Sequence, residues 1–218
     1  MTATAEVDPN ALDAPAVPIG GHCAPEFAGV RTQFERNFAI RGDVGAAVAA
    51  WVDGQLVVNL WGGWRDAARR RRWRQDTLAS VFSGSKGLAS TCLHLLAERG
   101  VIDLNRPVAT YWPEFAQAGK ADITLATVLA HRSGVIGPRQ RMAPDEALDW
   151  DLVCARLAAA EPWWEPGTAQ GYHMVTFGFI LGEVIRRVTG LTLGQTLRAE
   201  IADPLWADVH IGLTEADH

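Results

Sequence analysis

Ser80-Val81-Phe82-Ser83-Gly84-Ser85-Lys86-Gly87 sets a lysine three residues after a serine, in a chain whose only lysines are Lys86 and Lys120. Residues three apart on a helix share a face, so a helix beginning beside Ser83 brings its Oγ within hydrogen-bond reach of Lys86 Nζ. A serine hydroxyl is a weak nucleophile until a neighbour takes its proton, and a lysine kept neutral by burial and positive potential can do this. At a helix start the Ser83 N–H has no intrahelical acceptor and can face a developing oxyanion. The competing reading is an N-cap serine with a solvated lysine. Ser85 is a poorer nucleophile candidate, having no lysine three residues on and no complete Gly-x-Ser-x-Gly around it.

Working outward, Lys86 opens a helical pattern with Leu88, Cys92, Leu95 and Leu96 on one side and Gly100 as its stop. Upstream, Leu78 to Phe82 reads as a short strand or extended lead-in. Val44 to Val52 and Leu56 to Leu60 flank Asp53-Gly54, a type I′ hairpin signal. Pro25 to Arg41 is expected to be an amphipathic helix ending at Gly42, with Phe27, Val30, Phe34 and Phe38 on one face. Downstream, Thr124 is expected to cap a helix to Ala130, and Pro144 with Asp145 and Glu146 to open one running to about Ala159. Helices are also expected over Val175 to Val188 and Leu193 to Ile201, ending against Gly190 and Pro204.

A second motif lies at Trp164-Glu165-Pro166-Gly167-Thr168-Ala169-Gln170-Gly171-Tyr172-His173-Met174. Between the two stand Ile102-Asp103-Leu104-Asn105-Arg106-Pro107-Val108 and Leu129-Ala130-His131-Arg132-Ser133-Gly134. In order and approximate spacing these resemble the motifs of the serine β-lactamase-like superfamily, which includes class C β-lactamases, D-Ala-D-Ala peptidases and family VIII carboxylesterases. Ser-x-x-Lys is a known motif of the penicillin-binding proteins and β-lactamases. The resemblance runs from about Phe27 to the last residue. It implies Ser83 as nucleophile, Lys86 as base and Tyr172 as proton relay, with His173, Met174 and Trp164 as candidate substrate-binding residues.

The fold so implied is α+β, β-lactamase/transpeptidase-like and incomplete: a helix and β-hairpin over 25–82, a mainly helical region over 83–218, and a loose arm over 1–24. The strands that complete the sheet in such proteins are expected to be missing, making the chain an N-terminal portion of a longer fold. Two residues after the tyrosine, β-lactamases and peptidases usually carry asparagine, whose amide bonds the substrate. Met174 cannot donate such a bond, and family VIII carboxylesterases tolerate an apolar residue there. A carboxylesterase acting on small esters is therefore expected. The alternatives are β-lactam or D-amino-acid peptide hydrolysis, and an inactive remnant serving as a binding module.

Composition narrows the rest. A net charge of −5 over 218 residues disfavours a general nucleic-acid surface, and the run Arg69-Arg70-Arg71-Arg72-Trp73-Arg74 is expected to be a solvated loop rather than a polyanion site. No apolar run is long enough to span a bilayer, and residues 1–24 lack a secretory pattern. Cys23, Cys92 and Cys154 are odd in number and widely spaced, which points to a reducing, cytoplasmic setting. No metal or cofactor is expected. His131 and His173 read as structural or orienting, and Trp163 and Trp164 as packing or acyl-pocket residues.

Overall fold

A computed structural model describes residues 17–213. The chain divides into two compact units, Met1–Ala79 and Ser80–His218.

In the first unit the strands are β1 (Ile19–Cys23), β2 (Gly45–Val52) and β3 (Gln55–Gly63), ordered β1-β3-β2 and antiparallel throughout. The hairpin forms as expected, with positive φ at Asp53 (49°) and Gly54 (74°), the two left-handed positions of a type I′ turn. The loose arm is corrected in part. Its stretch over residues 1–16 lies outside the described residues, but Ile19–Cys23 pairs with β3 from Ile19↔Gly62 to Cys23↔Val58. Gly20 and Gly21 disguise this strand, because glycine weakens strands by propensity. Both are required by close approach: a Cβ on Gly20 would lie 2.7 Å from the Trp61 ring, and one on Gly21 1.9 Å from the Asn59 carbonyl oxygen.

The helical stretch after β1 is a 3-10 turn (Pro25–Phe27), α1 (Ala28–Arg36) and a π turn (Asn37–Arg41), stopped by Gly42 at φ 70°. Its Phe34 and Phe38 meet edge-on at 5.2 Å and pack with Val58 and Leu60 of β3. A bare hairpin is marginal, and a third strand with a covering helix is what stabilises one. Here β1 and α1 supply them. Among the described residues no strand follows β3.

The second unit is helical: α2 (Ser85–Glu98), α3 (Leu125–Leu129), α4 (Trp150–Ala159), α5 (Thr176–Thr189), α6 (Leu193–Leu197) and α7 (Asp203–Leu205). Thr124 caps α3 by accepting from the Thr127 N–H. The helix expected from Pro144 begins later, because Asp149 adopts an extended conformation and accepts from the Leu152 N–H, which makes it the N-cap of α4. Only a 3-10 turn, Glu146–Leu148, precedes it. The helix expected over Leu193 to Ile201 is α-helical only to Leu197, then widens into a π turn (Arg198–Ala202). Pro204 sits in the first turn of α7 rather than ending a helix, a place where its missing N–H costs nothing.

The core of this unit is built around α5, whose Ile180, Leu181, Val184 and Ile185 are fully buried beside Leu93, Leu125 and Leu157. Cys92 and Cys154 are free thiols within this core. Two buried charges are satisfied. Lys120 Nζ donates to the carbonyls of Gln117 (2.7 Å), Ala158 (3.0 Å) and Ala160 (2.5 Å). Glu183 accepts from Trp150 Nε1 (2.9 Å), Arg186 Nε (2.8 Å) and Arg187 Nε (2.7 Å).

Candidate active site

Ser83, Lys86 and Tyr172 all belong to the helical unit and meet at the start of α2. Val81 and Phe82 lead into a 3-10 turn (Phe82–Gly84) that runs straight into α2. Lys86 therefore lies one turn on, with its Nζ 3.1 Å from Ser83 Oγ. Phe82 is held at φ 44° and its ring is 85% exposed. A bulky residue in the left-handed region is a true conformational outlier, and such strain clusters at functional sites. Ser85 Oγ donates to the Phe82 carbonyl at 2.7 Å, so its hydroxyl is engaged in the turn while that of Ser83 faces Lys86. The Ser83 N–H has no backbone acceptor among the described residues.

Tyr172 arrives on a separate loop. Two segments, 131–134 and 163–171, are joined by backbone bonds: Trp163 N–H to the Gly134 carbonyl (2.8 Å), Gly167 N–H to Arg132 (2.9 Å) and Gly171 N–H to His131 (3.0 Å). Arg132 Nη2 also donates to the Gly167 carbonyl. Gly134 has φ 76°, and a Cβ there would lie 2.7 Å from the Trp164 carbonyl oxygen, so only glycine fits this junction. Lys86 Nζ donates to the Met174 carbonyl at 2.8 Å and lies 4.8 Å from the centre of the Tyr172 ring. Hydrogen bonding with Ser83 and then Lys86 holds the Tyr172 phenol below its ordinary ionisation range.

Behind Tyr172 is a buried polar scaffold. Ser133 Oγ and His173 Nε2 are 2.6 Å apart, and His173 Nδ1 meets the Gly171 carbonyl at 2.7 Å. The His173 N–H donates to His131 Nδ1 at 3.0 Å, and the His131 ring packs 4.9 Å from Tyr172 and 5.0 Å from Phe177. Burial lowers the pKa of both histidines, with a further push on His131 from the Lys86 charge. As neutral rings they can accept as well as donate, as the His131 contact requires.

The expected substrate-binding residues divide. His173 is fully buried with both ring nitrogens engaged, as its reading as a structural residue expects and unlike a residue open to substrate. Trp164 is half-buried, bonds the Ala169 carbonyl through Nε1 (3.1 Å) and packs against Gly171, holding the loop. Met174 is 68% exposed beside Lys86. Sequence reasoning missed Ser133, whose only signal was its place in the His-x-Ser-Gly turn. It also missed the Met174 carbonyl, a backbone acceptor that residue identity cannot signal. Among the described residues no cluster of three or more His, Cys, Asp or Glu could hold a metal ion, and no helix is long and apolar enough to cross a membrane.

Comparison with known proteins places these residues in context. The family model described as Beta-lactamase matches residues 33–218. Esterase/beta-lactamase LipL of Mycobacterium tuberculosis (strain ATCC 25618 / H37Rv) is 41% identical over 198 residues, covering 90% of this chain and 46% of LipL. The crystal structure of a family VIII carboxylesterase matches with TM-score 0.85 and 50% identity, over 92% of this chain and 55% of that one. A penicillin-binding protein homolog from Caulobacter crescentus matches with TM-score 0.87 and 42% identity, over 92% and 54%. The chain thus spans about half the length of the relatives it matches.

Proposed function

Because the chain belongs to the Beta-lactamase family, we propose that it carries the nucleophile-bearing part of a serine hydrolase that cleaves small carboxylic esters through an acyl-enzyme on Ser83. The observation that supports this most is the grouping of Ser83 Oγ and the Tyr172 ring around Lys86 Nζ, at 3.1 Å and at 4.8 Å from the ring centre.

Lys86 Nζ donates to Ser83 Oγ at 3.1 Å and to the Met174 carbonyl at 2.8 Å, and lies 4.8 Å from the centre of the Tyr172 ring. That arrangement favours the phenolate of Tyr172, which accepts the Ser83 proton as Oγ attacks the ester carbonyl. The Ser83 N–H is positioned to stabilise the resulting oxyanion. When the tetrahedral adduct collapses, the C–O bond to the alcohol breaks and Tyr172 returns the proton to the leaving alkoxide. Water then attacks the acyl-Ser83 ester, with Tyr172 again taking and returning a proton, and the carboxylic acid is released. Lys86 stays bonded to Ser83 Oγ and the Met174 carbonyl and orients the nucleophile.

The ester preference rests on Met174 and on the carboxylesterase-type run Tyr172-His173-Met174-Val175-Thr176. Its support among relatives is the 50% identity to a family VIII carboxylesterase. The exposed Met174 side chain offers an apolar contact where an amide donor would serve an acylamino group. A nitrophenyl butyrate and nitrocefin test the proposal by intact mass. Ser83 is expected to gain one butyryl group, faster than any nitrocefin adduct forms, and Ser83→Ala to gain none. Butyrylation retained in Ser83→Ala refutes the nucleophile, and faster reaction with nitrocefin refutes the ester preference.

A further inference from the structure

The arginine-rich stretch after β3 takes no part in the hydrolase reading. It is expected to be a solvated loop, and Arg69 to Arg72 and Arg74 are exposed, but its backbone is pinned. The Trp64 N–H donates to the Val44 carbonyl (2.7 Å), Arg65 N–H to Arg71 (2.8 Å) and Trp73 N–H to Gly63 (2.9 Å), with an antiparallel bridge between Trp64 and Arg72. Arg69, at φ 55°, makes the turn, and Asp66 accepts from the Arg70 N–H and from Arg71 Nε. This is a fixed hairpin extending β3, so its side chains are presented in a defined arrangement.

Arg65, Arg70, Arg71, Arg72 and Arg74 all line one cavity of about 940 Å³ within the first unit. The volume falls within the roughly 300–1,000 Å³ span of small-molecule sites and has room for several oxyanions. Among the described residues Asp66 pairs with Arg70 and Arg71. Arg65, Arg72 and Arg74 have no ion pair among the described residues, and Asp76 is the one acid in the lining. Five guanidinium groups against two carboxylates, Asp66 and Asp76, in a chain of net charge −5, concentrate positive charge that an anion would compensate. The Trp73 ring also lines the cavity, while its Nε1 is buried with no hydrogen-bond acceptor. Native structures rarely leave such a donor unpaired.

We propose that this cavity binds a small anion bearing two or more phosphate groups. The Arg65, Arg72 and Arg74 forks would each grip phosphate oxygens in the bidentate manner guanidinium favours.

Calorimetric titration of the whole chain with sodium tripolyphosphate, at low and near-physiological salt, tests the proposal. One equivalent is expected to bind, weakened at least about tenfold by Arg72→Gln/Arg74→Gln, since each lost bidentate contact is charge-assisted. Arg36→Gln/Arg41→Gln removes the same charge outside the lining and is expected to leave affinity unchanged. No saturable binding, equal weakening by the two double variants, or tighter binding of citrate overturns the proposal. A second readout needs no variant: phenylglyoxal modification mapped by mass spectrometry is expected to show Arg65, Arg72 and Arg74 protected by tripolyphosphate. Protection that is absent, or equal at Arg36 and Arg41, also overturns it.

Discussion

The buried core of the sheet unit comprises Phe34, Phe38, Val58 and Leu60, a single layer between α1 and one face of β3. The helical unit buries a cluster several times larger, from Ala89 through Leu197, wrapped on all sides of α5. The residues proposed to carry the chemistry all stand on the second. Placing reactive groups within tenths of an ångström requires supports that are themselves locked by packing. Phe177, which stacks on His131 at 5.0 Å, is itself part of that deep cluster. The sheet unit instead presents surface: exposed Trp51 on β2 and the arginine-lined cavity beside β3.

The largest test of this contrast is a matched pair of truncations, Leu181→Ala in the helical core and Leu60→Ala in the sheet core, both fully buried in the native chain. Leu181→Ala is expected to cost about 3–5 kcal/mol and Leu60→Ala about 2–3 kcal/mol, because a thin core can collapse around the gap. Urea unfolding followed by hydrogen exchange in α5 and in β3 measures both. Equal costs would break the contrast.

Acid provides a second, smaller handle on the helical unit alone. Burial raises the pKa of Glu183, but the hydrogen bonds from Arg186, Trp150 and Arg187 outweigh it and bring the value to about 2, against 4.5 for an unperturbed glutamate. The carboxylate therefore stabilises the fold fully above pH 4.5, and that contribution, about 2–3 kcal/mol, fades as pH falls and is gone below 2. Glu183→Gln should flatten this acid limb in the helical amides, and an unchanged limb would remove Glu183 from the account.

Ser133→Ala sharpens the picture further. It leaves His173 Nε2 buried without its partner at 2.6 Å, a loss of about 1–3 kcal/mol. Because His173 orders His131 and the Tyr172 loop, acylation of Ser83 should slow even where the chain remains folded. Slowing without any change in thermal stability would mean that the hydroxyl acts on the reaction directly.

Much of the chemistry was legible because it is local: Ser83 and Lys86 share one helical turn, and that spacing alone brings their tips together. Tyr172 became legible only through family resemblance, since 85 intervening positions of chain separate it from Lys86 in a way no periodicity encodes. The hairpin was readable from Asp53-Gly54. β1 was not, because Gly20 and Gly21 answer to the neighbouring strand and to Trp61 rather than to their own propensity. The start of α4 was misplaced for a related reason: Pro144-Asp145-Glu146 and Asp149 are both plausible openings, and the Leu152 N–H bonds only the second. His173 looked available from its place beside Tyr172, and only its packing shows that it is buried.

The most direct test of the proposed proton path is the pH dependence of fluorophosphonate labelling at Ser83, mapped by peptide mass spectrometry, in the native chain and in Tyr172→Phe. If the lowered phenol is the base, labelling of Ser83 rises with pH with its midpoint below that of an ordinary phenol, while Tyr172→Phe shows no such rise and reacts at least about a hundredfold more slowly. Identical profiles in the two proteins, or label on a serine other than Ser83, would contradict it.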